Sequence, residues 1–335
     1  MPKATSSSSD YHQSARIPAM PLVTKEIDQV KACMKEYLYK GVRAPELQPL
    51  LDHVTFRTGK MIRPGLVLLA GKACGAIQAD HIKAGAILEM IHYATLLHDD
   101  VIDHSHKRRA QATANSLWGN ESAVLLGDFI LTVVFQMCTE LPSNAAKVVA
   151  DTTAQVCQGE LRQTLTCNDW HLSVSHYLEI ISDKSASFFS GCCRVGSLLA
   201  GADEQATESL ASYGLNVGIA FQIADDLLDI WGDHNQTGKS SGRDLDNQKP
   251  TLPLIHLMEQ LTEAEQETLI DTLESPADNT DSLRAQLVES GSLEHAREMS
   301  EMYVAQAISA LGPIADTPIG EKLIALARFL GQREV

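Results

Sequence analysis

A chain of 335 residues is long enough for one large domain or two ordinary ones, and its 44% hydrophobic and 21% charged residues exclude a fibrous repeat or wholesale disorder. A formal net charge of −16 excludes the broad basic footprint that nucleic acid or an anionic membrane surface requires. Any anionic ligand must be held by local basic residues or by metal ions.

Residues 1–20 carry Ser6 to Ser9 and no apolar run, and read as a disordered tail ahead of one domain over 21–335. From Thr24 onward apolar residues recur at helical spacing without sustained alternation, so the expected class is all-α, a single large helical bundle. Thr24 is the expected N-cap of the first helix, with Glu26 and Asp28 in the turn that follows. Further helices are expected over 44–57, 61–75, 79–104, 121–139, 143–166, 174–200, 204–232, 250–260 and 263–273, and over 292–333 with breaks. No stretch reads as a membrane span, because Glu89, His92 and Asp128 interrupt the best candidates. The seven cysteines are scattered and form no CxxC pair, which fits a reducing compartment, and the expected location is the cytoplasm. Cys167 and His171 make a single soft-ligand pair with no second pair, an ordinary loop rather than a zinc site.

One internal echo carries chemistry. Asp99-Asp100-Val101-Ile102-Asp103 and Asp225-Asp226-Leu227-Leu228-Asp229 share the form Asp-Asp-apolar-apolar-Asp, each at the end of a long apolar approach. Residues four apart lie on one helix face, so Asp99 points with Asp103 and Asp225 with Asp229. Each pair repels itself unless a cation lies between, and hard oxygen donors without His or Cys favour magnesium, which keeps waters and bridges phosphates. A stretch from Asp233 to Asp244 imitates a calcium loop, but Thr237 and Asp244 stand where Asn or Asp and Glu are required, so it reads as a chance match.

Basic islands supply the counterpart: Gly59-Lys60-Met61-Ile62-Arg63-Pro64, Lys107-Arg108-Arg109, Lys184-Ser185, and Lys239 with Lys249. Arg forks take phosphoryl oxygens in pairs and Lys supplies a mobile point charge. Any one of them alone would read as surface charge. Together, in an acidic chain and beside two acidic clusters, they point to phosphate recognition.

These residues resemble the trans-isoprenyl diphosphate (polyprenyl) synthases, most closely the octaprenyl-type long-chain enzymes. The resemblance runs from Thr24 to the C-terminus. It rests on Gly59-Lys60-x-x-Arg63-Pro64, Glu89-Met90-Ile91-His92, the first Asp motif with Arg108-Arg109, and Lys184-Ser185-Ala186-Ser187. Phe221-Gln222 ahead of the second Asp motif, and Gly238-Lys239-x-x-Gly242-x-Asp244-Leu245 leading to Lys249-Pro250-Thr251, complete it.

The resemblance implies an isoprenoid synthase bundle around a central apolar cavity. It places Lys60, Arg63, His92 and Arg109 on the diphosphate of isopentenyl diphosphate, and Arg108, Lys184, Ser185, Gln222, Lys239 and Lys249 on an allylic diphosphate. Asp99, Asp103 and Asp225, with Asp100, Asp226 and Asp229 in support, would hold two or three magnesium ions; Asp99, Asp103, Arg108, Lys184 and Asp225 would be catalytic. A homodimer is implied. Three departures stand out: Ser185 replaces Thr and keeps the hydroxyl, Ala110 and Ala112 stand where Gly and Pro are common, and Gln248 replaces a Gly before Lys249.

The expected reaction joins isopentenyl diphosphate units to an allylic diphosphate, with farnesyl diphosphate as the primer and an all-trans product of about octaprenyl length for quinone side chains. A helical turn rises about 5.4 Å, near the span of one isoprene unit, so side chains one turn before Asp99 should set product length. Ala94 and Thr95 occupy that turn, where short-chain relatives carry Phe or Tyr, and they point to a long product. A catalytically silent subunit that regulates or scaffolds a synthase partner is the alternative, and it should have lost acidic or basic ligands that this chain keeps.

Overall fold

The computed structural model describes residues 17–40, 42, 44–55, 59–108, 111–231, 243–273 and 280–332, without the side chains of 54, 55, 243, 246 and 280. The described chain is almost wholly helical, as expected, and divides into two compact units. One comprises residues 1–151, 191–211 and 311–326, the other 152–190, 212–310 and 327–335. Four of the five divisions fall within helices, and the fifth lies at the end of the helix Ser292–Ala310, so no long polar linker marks them.

The first unit opens with a 3-10 turn, Met20–Val23, followed by α1 (Thr24–Tyr39), α2 (Gln48–Thr55), α3 (Ile62–Cys74) and α4 (Ala79–Ile102). Thr24 is not a cap: it is the first residue of α1, and its hydroxyl donates to the carbonyls of Met20 and Pro21 in the preceding turn. Helix α4 is the core element. Ala84, Ala86, Ile87, Leu88, Met90, Ile91 and Ala94 are buried along it, and an apolar surface on all sides is what a helix enclosed by neighbours requires. It packs against α1, α3 and α6 (Asn120–Cys138). Gly85 permits the close fit, since a Cβ there would stand 3.2 Å from Val30 of α1 and 3.4 Å from Pro64 of α3. Leu66, Val67, Leu68 and Leu69 of α3 are fully buried, each stabilising the unit by about 1.5–3 kcal/mol relative to exposure.

Between α4 and α6 lie two features the hydrophobic periodicity did not reveal. A two-residue antiparallel pair joins β1 (Lys107–Arg108) to β2 (Gln111–Ala112), and α5 (Ala114–Trp118) follows. Helix α6 itself is long and apolar enough to cross a membrane by length and composition, with mean hydropathy 1.5 and 39% of its window buried. The Leu, Ile, Val and Phe residues outweigh Glu121 and Asp128 in that measure, but a single helix passes it as readily when it is a packed helix, and α6 packs against α4.

Helix α7 (Ser143–Leu165) leads into the second unit, which holds α8 (Val174–Ile181). The helix expected over 174–200 is interrupted there. A π-turn at Ser182–Ala186 separates α8 from α9 (Ser187–Leu199). Helix α10 (Glu204–Trp231) follows, then a short turn α11 (Arg243–Asp246), α12 (Leu252–Gln260), α13 (Glu263–Leu273), α14 (Thr280–Glu289), α15 (Ser292–Ala310) and α16 (Pro318–Gly331). Two apolar clusters hold this unit: Ile180, Ile181, Ile223, Leu252 and Ile255 form one, and Ile230, Leu254, Leu257, Leu269 and Leu287 the other. All seven cysteines are free thiols, as expected.

Candidate active site

The first Asp motif closes α4. Asp99 and Asp103 are half-buried on one face, while Asp100, one residue and about 100° further round, is only 4% exposed. Arg108 of β1 donates from Nε to Asp100 Oδ1 at 2.9 Å, so a buried carboxylate has its cation. The chain turns out of α4 through His104, in the left-handed region at φ 48. That turn is fastened by Asn115 of α5, whose Nδ2 donates to the carbonyls of Asp100 at 3.0 Å and Ser105 at 3.1 Å. The Thr113 hydroxyl donates to the Ser105 carbonyl at 2.7 Å.

The first basic segment reaches the same helix. Gly59 N–H donates to the Tyr93 hydroxyl of α4 at 3.0 Å, and Met61 takes φ 54 at the start of α3, which puts Lys60 and Arg63, both half-buried, on either side of a sharp bend. His92 and Thr95 are half-buried on α4, with the Thr95 hydroxyl donating to the His92 carbonyl at 2.9 Å; Ala94 is buried. In the first unit, then, Lys60, Arg63, His92, Ala94, Thr95, Asp99, Asp100, Asp103 and Arg108 gather along α4 and the segments fastened to it. Arg109 lies outside the described residues.

The second unit repeats the pattern on α10. Asp225 and Asp229 are half-buried on one face and Asp226 is 6% exposed. Tyr177 Oη donates to Asp226 Oδ2 at 2.7 Å, and Gln222 Nε2 donates to Oδ1 at 2.7 Å. Burial, reinforced by the nearby Asp244 carboxylate, pushes Asp226 up to about 8. Asp229 Oδ2 accepts the Asp244 backbone N–H at 2.9 Å, tying the end of α10 to α11. Asp100 and Asp226, grouped by sequence with those pairs, are thus buried and hydrogen-bonded to protein side chains.

Lys184 and Ser185 sit on the π-turn. Such a turn inserts one residue into a helix and redirects the side chains it carries, which no periodicity reveals. Lys184 Nζ donates to Glu160 Oε2 at 2.8 Å and Gln163 Oε1 at 2.7 Å, both on α7. Arg162 of α7 forks to Asp183 and Glu179 at 2.7 Å each. Gly159 allows the turn to lie against α7, because a Cβ there would collide with the Lys184 and Asp183 backbone. Ser185 Oγ donates to Gln222 Oε1 at 2.6 Å.

Lys249 is half-buried just after α11, its N–H donating to the Asp244 carbonyl at 2.8 Å. Gln248, standing in place of a family glycine, takes φ 53, a left-handed conformation that glycine reaches without strain. Lys239 and most of the calcium-loop decoy, including Asp233 and Thr237, lie outside the described residues. Glu160, Gln163, Tyr177 and Asn115 escaped sequence reasoning; the only available signal was Glu160 and Gln163 on the polar side of α7.

Among the described residues no three His, Cys, Asp or Glu side chains converge to enclose a metal. What each motif offers is a pair of carboxylates on one face with their neighbour pinned behind, an oxygen-only donor set that fits magnesium sharing its shell with water and phosphate.

The all-α architecture is the isoprenoid synthase fold. A polyprenyl synthase from Caulobacter crescentus CB15, complexed with calcium and isoprenyl diphosphate, superposes with a TM-score of 0.88 at 31% identity, covering 100% of both chains. A decaprenyl diphosphate synthase from Rhodobacter capsulatus gives 0.87 at 32% identity, covering 94% of this chain and 98% of that one. The polyprenyl synthetase family model matches residues 44–290. Octaprenyl diphosphate synthase of Escherichia coli K12 is 37% identical over 318 residues, 93% of this chain and 97% of the relative. Nonaprenyl diphosphate synthase of Mycobacterium tuberculosis is 33% identical, covering 84% and 85%. The chain belongs to the polyprenyl synthetase family and is a prenyltransferase, a trans-polyprenyl diphosphate synthase.

Proposed function

We propose that residues 21–335 act as one magnesium-dependent synthase that extends farnesyl diphosphate with isopentenyl diphosphate to an all-trans product of about octaprenyl length, for quinone side chains. The observation that carries this reading is the repeated site: two Asp-x-x-x-Asp faces on α4 and α10, each backed by a buried Asp and accompanied by basic residues. Asp99 with Asp103, and Asp225 with Asp229, would hold two or three magnesium ions, which when bound would supply positive charge to offset that growing on the leaving diphosphate.

Lys184, Lys239 and Lys249, with Arg108, Ser185 and Gln222, bind the allylic diphosphate and add N–H and O–H donors to its oxygens. Lys60, Arg63, His92 and Arg109 hold isopentenyl diphosphate with its double bond towards the allylic carbon. The allylic carbon–oxygen bond breaks, the double bond attacks the cation, and the departing diphosphate takes the proton lost from the new unit. Apolar residues along α4 keep water from the cation. Ala94 and Thr95 leave room for a long chain beside that helix.

The chain works in the cytoplasm as a homodimer. Leu125 and Phe135 of α6 are 66% and 67% exposed, and a second copy covering them would remove that apolar surface from water.

Asp99→Ala and Asp225→Ala test the metal reading. Each should lower turnover about a thousandfold while circular dichroism stays helical; turnover retained in both contradicts it.

A further inference from the structure

Four side chains of the second unit form one chain of hydrogen bonds that converges on Asp226. Ser185 Oγ donates to Gln222 Oε1 at 2.6 Å, Gln222 Nε2 donates to Asp226 Oδ1 at 2.7 Å, and Tyr177 Oη donates to Asp226 Oδ2 at 2.7 Å. Tyr177 is 3% exposed and Asp226 6%. Both Asp226 oxygens accept, one from Tyr177 and one from Gln222, and the Gln222 amide correspondingly faces with NH2 towards Asp226 and the carbonyl oxygen towards Ser185. Turned the other way, the amide would set its oxygen against Asp226 and its NH2 against Ser185. Tyr177 satisfies the second carboxylate oxygen, which keeps the Asp226 plane from rotating away from Gln222.

From this chain we infer that Tyr177, acting through Asp226, is a positioning residue that sets the orientation of Gln222 and Ser185 for the allylic diphosphate, and that Asp226 serves this relay rather than the metal. The inference rests on the proposed role of Gln222 and Ser185 on the allylic substrate. Tyr177 comes from α8, Ser185 from the π-turn and Gln222 with Asp226 from α10, so the relay also joins three elements at the place where Lys184 is carried.

The test is steady-state kinetics of the full chain with farnesyl diphosphate, isopentenyl diphosphate and a magnesium titration, on Tyr177→Phe, Gln222→Ala and the double variant. Loss of the Tyr177 hydroxyl should raise KM for farnesyl diphosphate about tenfold, a buried hydrogen bond's worth, with KM for isopentenyl diphosphate and the magnesium midpoint unchanged. In the Gln222→Ala background Tyr177→Phe should add nothing, because the two act as one unit. Asp226→Asn, close in shape, should reproduce the selective KM effect if Tyr177→Phe fails to fold. Additive effects in the double variant, or a magnesium midpoint that moves in Tyr177→Phe or Asp226→Asn, overturn the inference. Gln222→Ala with unaltered KM for farnesyl diphosphate overturns the substrate reading beneath it as well, which separates the two failures.

Discussion

Asp99 and Asp100 are adjacent in sequence and face different surroundings, as are Asp225 and Asp226. A helix rotates about 100° per residue, so an Asp-Asp pair cannot present both carboxylates on one surface. One goes outward with its partner four residues on, and the other must find a donor inside. That donor is Arg108 for Asp100, and Tyr177 with Gln222 for Asp226. His81 shows the same rule for a neutral group. Gln78 N–H donates to its Nδ1 at 3.1 Å, which leaves the proton on Nε2 for the Gly196 carbonyl at 3.1 Å. Burial holds this imidazole below its ordinary 6.5. Protonation therefore favours the unfolded chain: the stability His81 contributes is whole above about 6.5 and is lost as pH falls through and below it. Melting temperature should drop between pH 7 and pH 5, and His81→Gln should flatten that slope; an unchanged slope in the variant contradicts the assignment.

At the scale of elements, the long helices were legible because hydrophobic period and length agree, and α3, α4, α10 and α13 lie close to their expected bounds. The π-turn was not legible. It depends on α7, which supplies Gly159, Arg162 and Glu160 to hold it, and tertiary partners leave no period in the turn's own residues. The pair β1–β2 escaped because two residues per strand carry no alternation, and the Thr24 cap failed because a 3-10 turn already precedes α1. The candidate site was legible in its charged residues and opaque in their supports, since Tyr177 and Asn115 look like ordinary helix residues. Gly159→Ala should push the π-turn off α7, costing about 1–3 kcal/mol of stability and disturbing Lys184; unchanged melting and turnover would contradict this seating. On α4, Ala94→Phe should shorten the product, read by mass spectrometry, and an unaltered product would place the length limit elsewhere.

For the molecule as a whole, a net charge of −16 and a diphosphate ligand are compatible only if the cations are concentrated where the phosphates bind. The basic residues of the two units follow that economy: Lys60, Arg63 and Arg108 gather around α4 in the first, and Lys184 and Lys249 lie on segments tied to α10 or α11 in the second. Such a distribution suits the proposed binding of two diphosphates, with a metal to screen the paired aspartates. The most direct measurement is incubation of the purified chain with farnesyl diphosphate, excess isopentenyl diphosphate and magnesium, with products sized by mass spectrometry beside a chelator control. A magnesium-dependent ladder of five-carbon steps ending at one dominant long chain, about octaprenyl, is the predicted result. Absence of any elongated diphosphate, or a ladder undiminished by the chelator, would contradict the account.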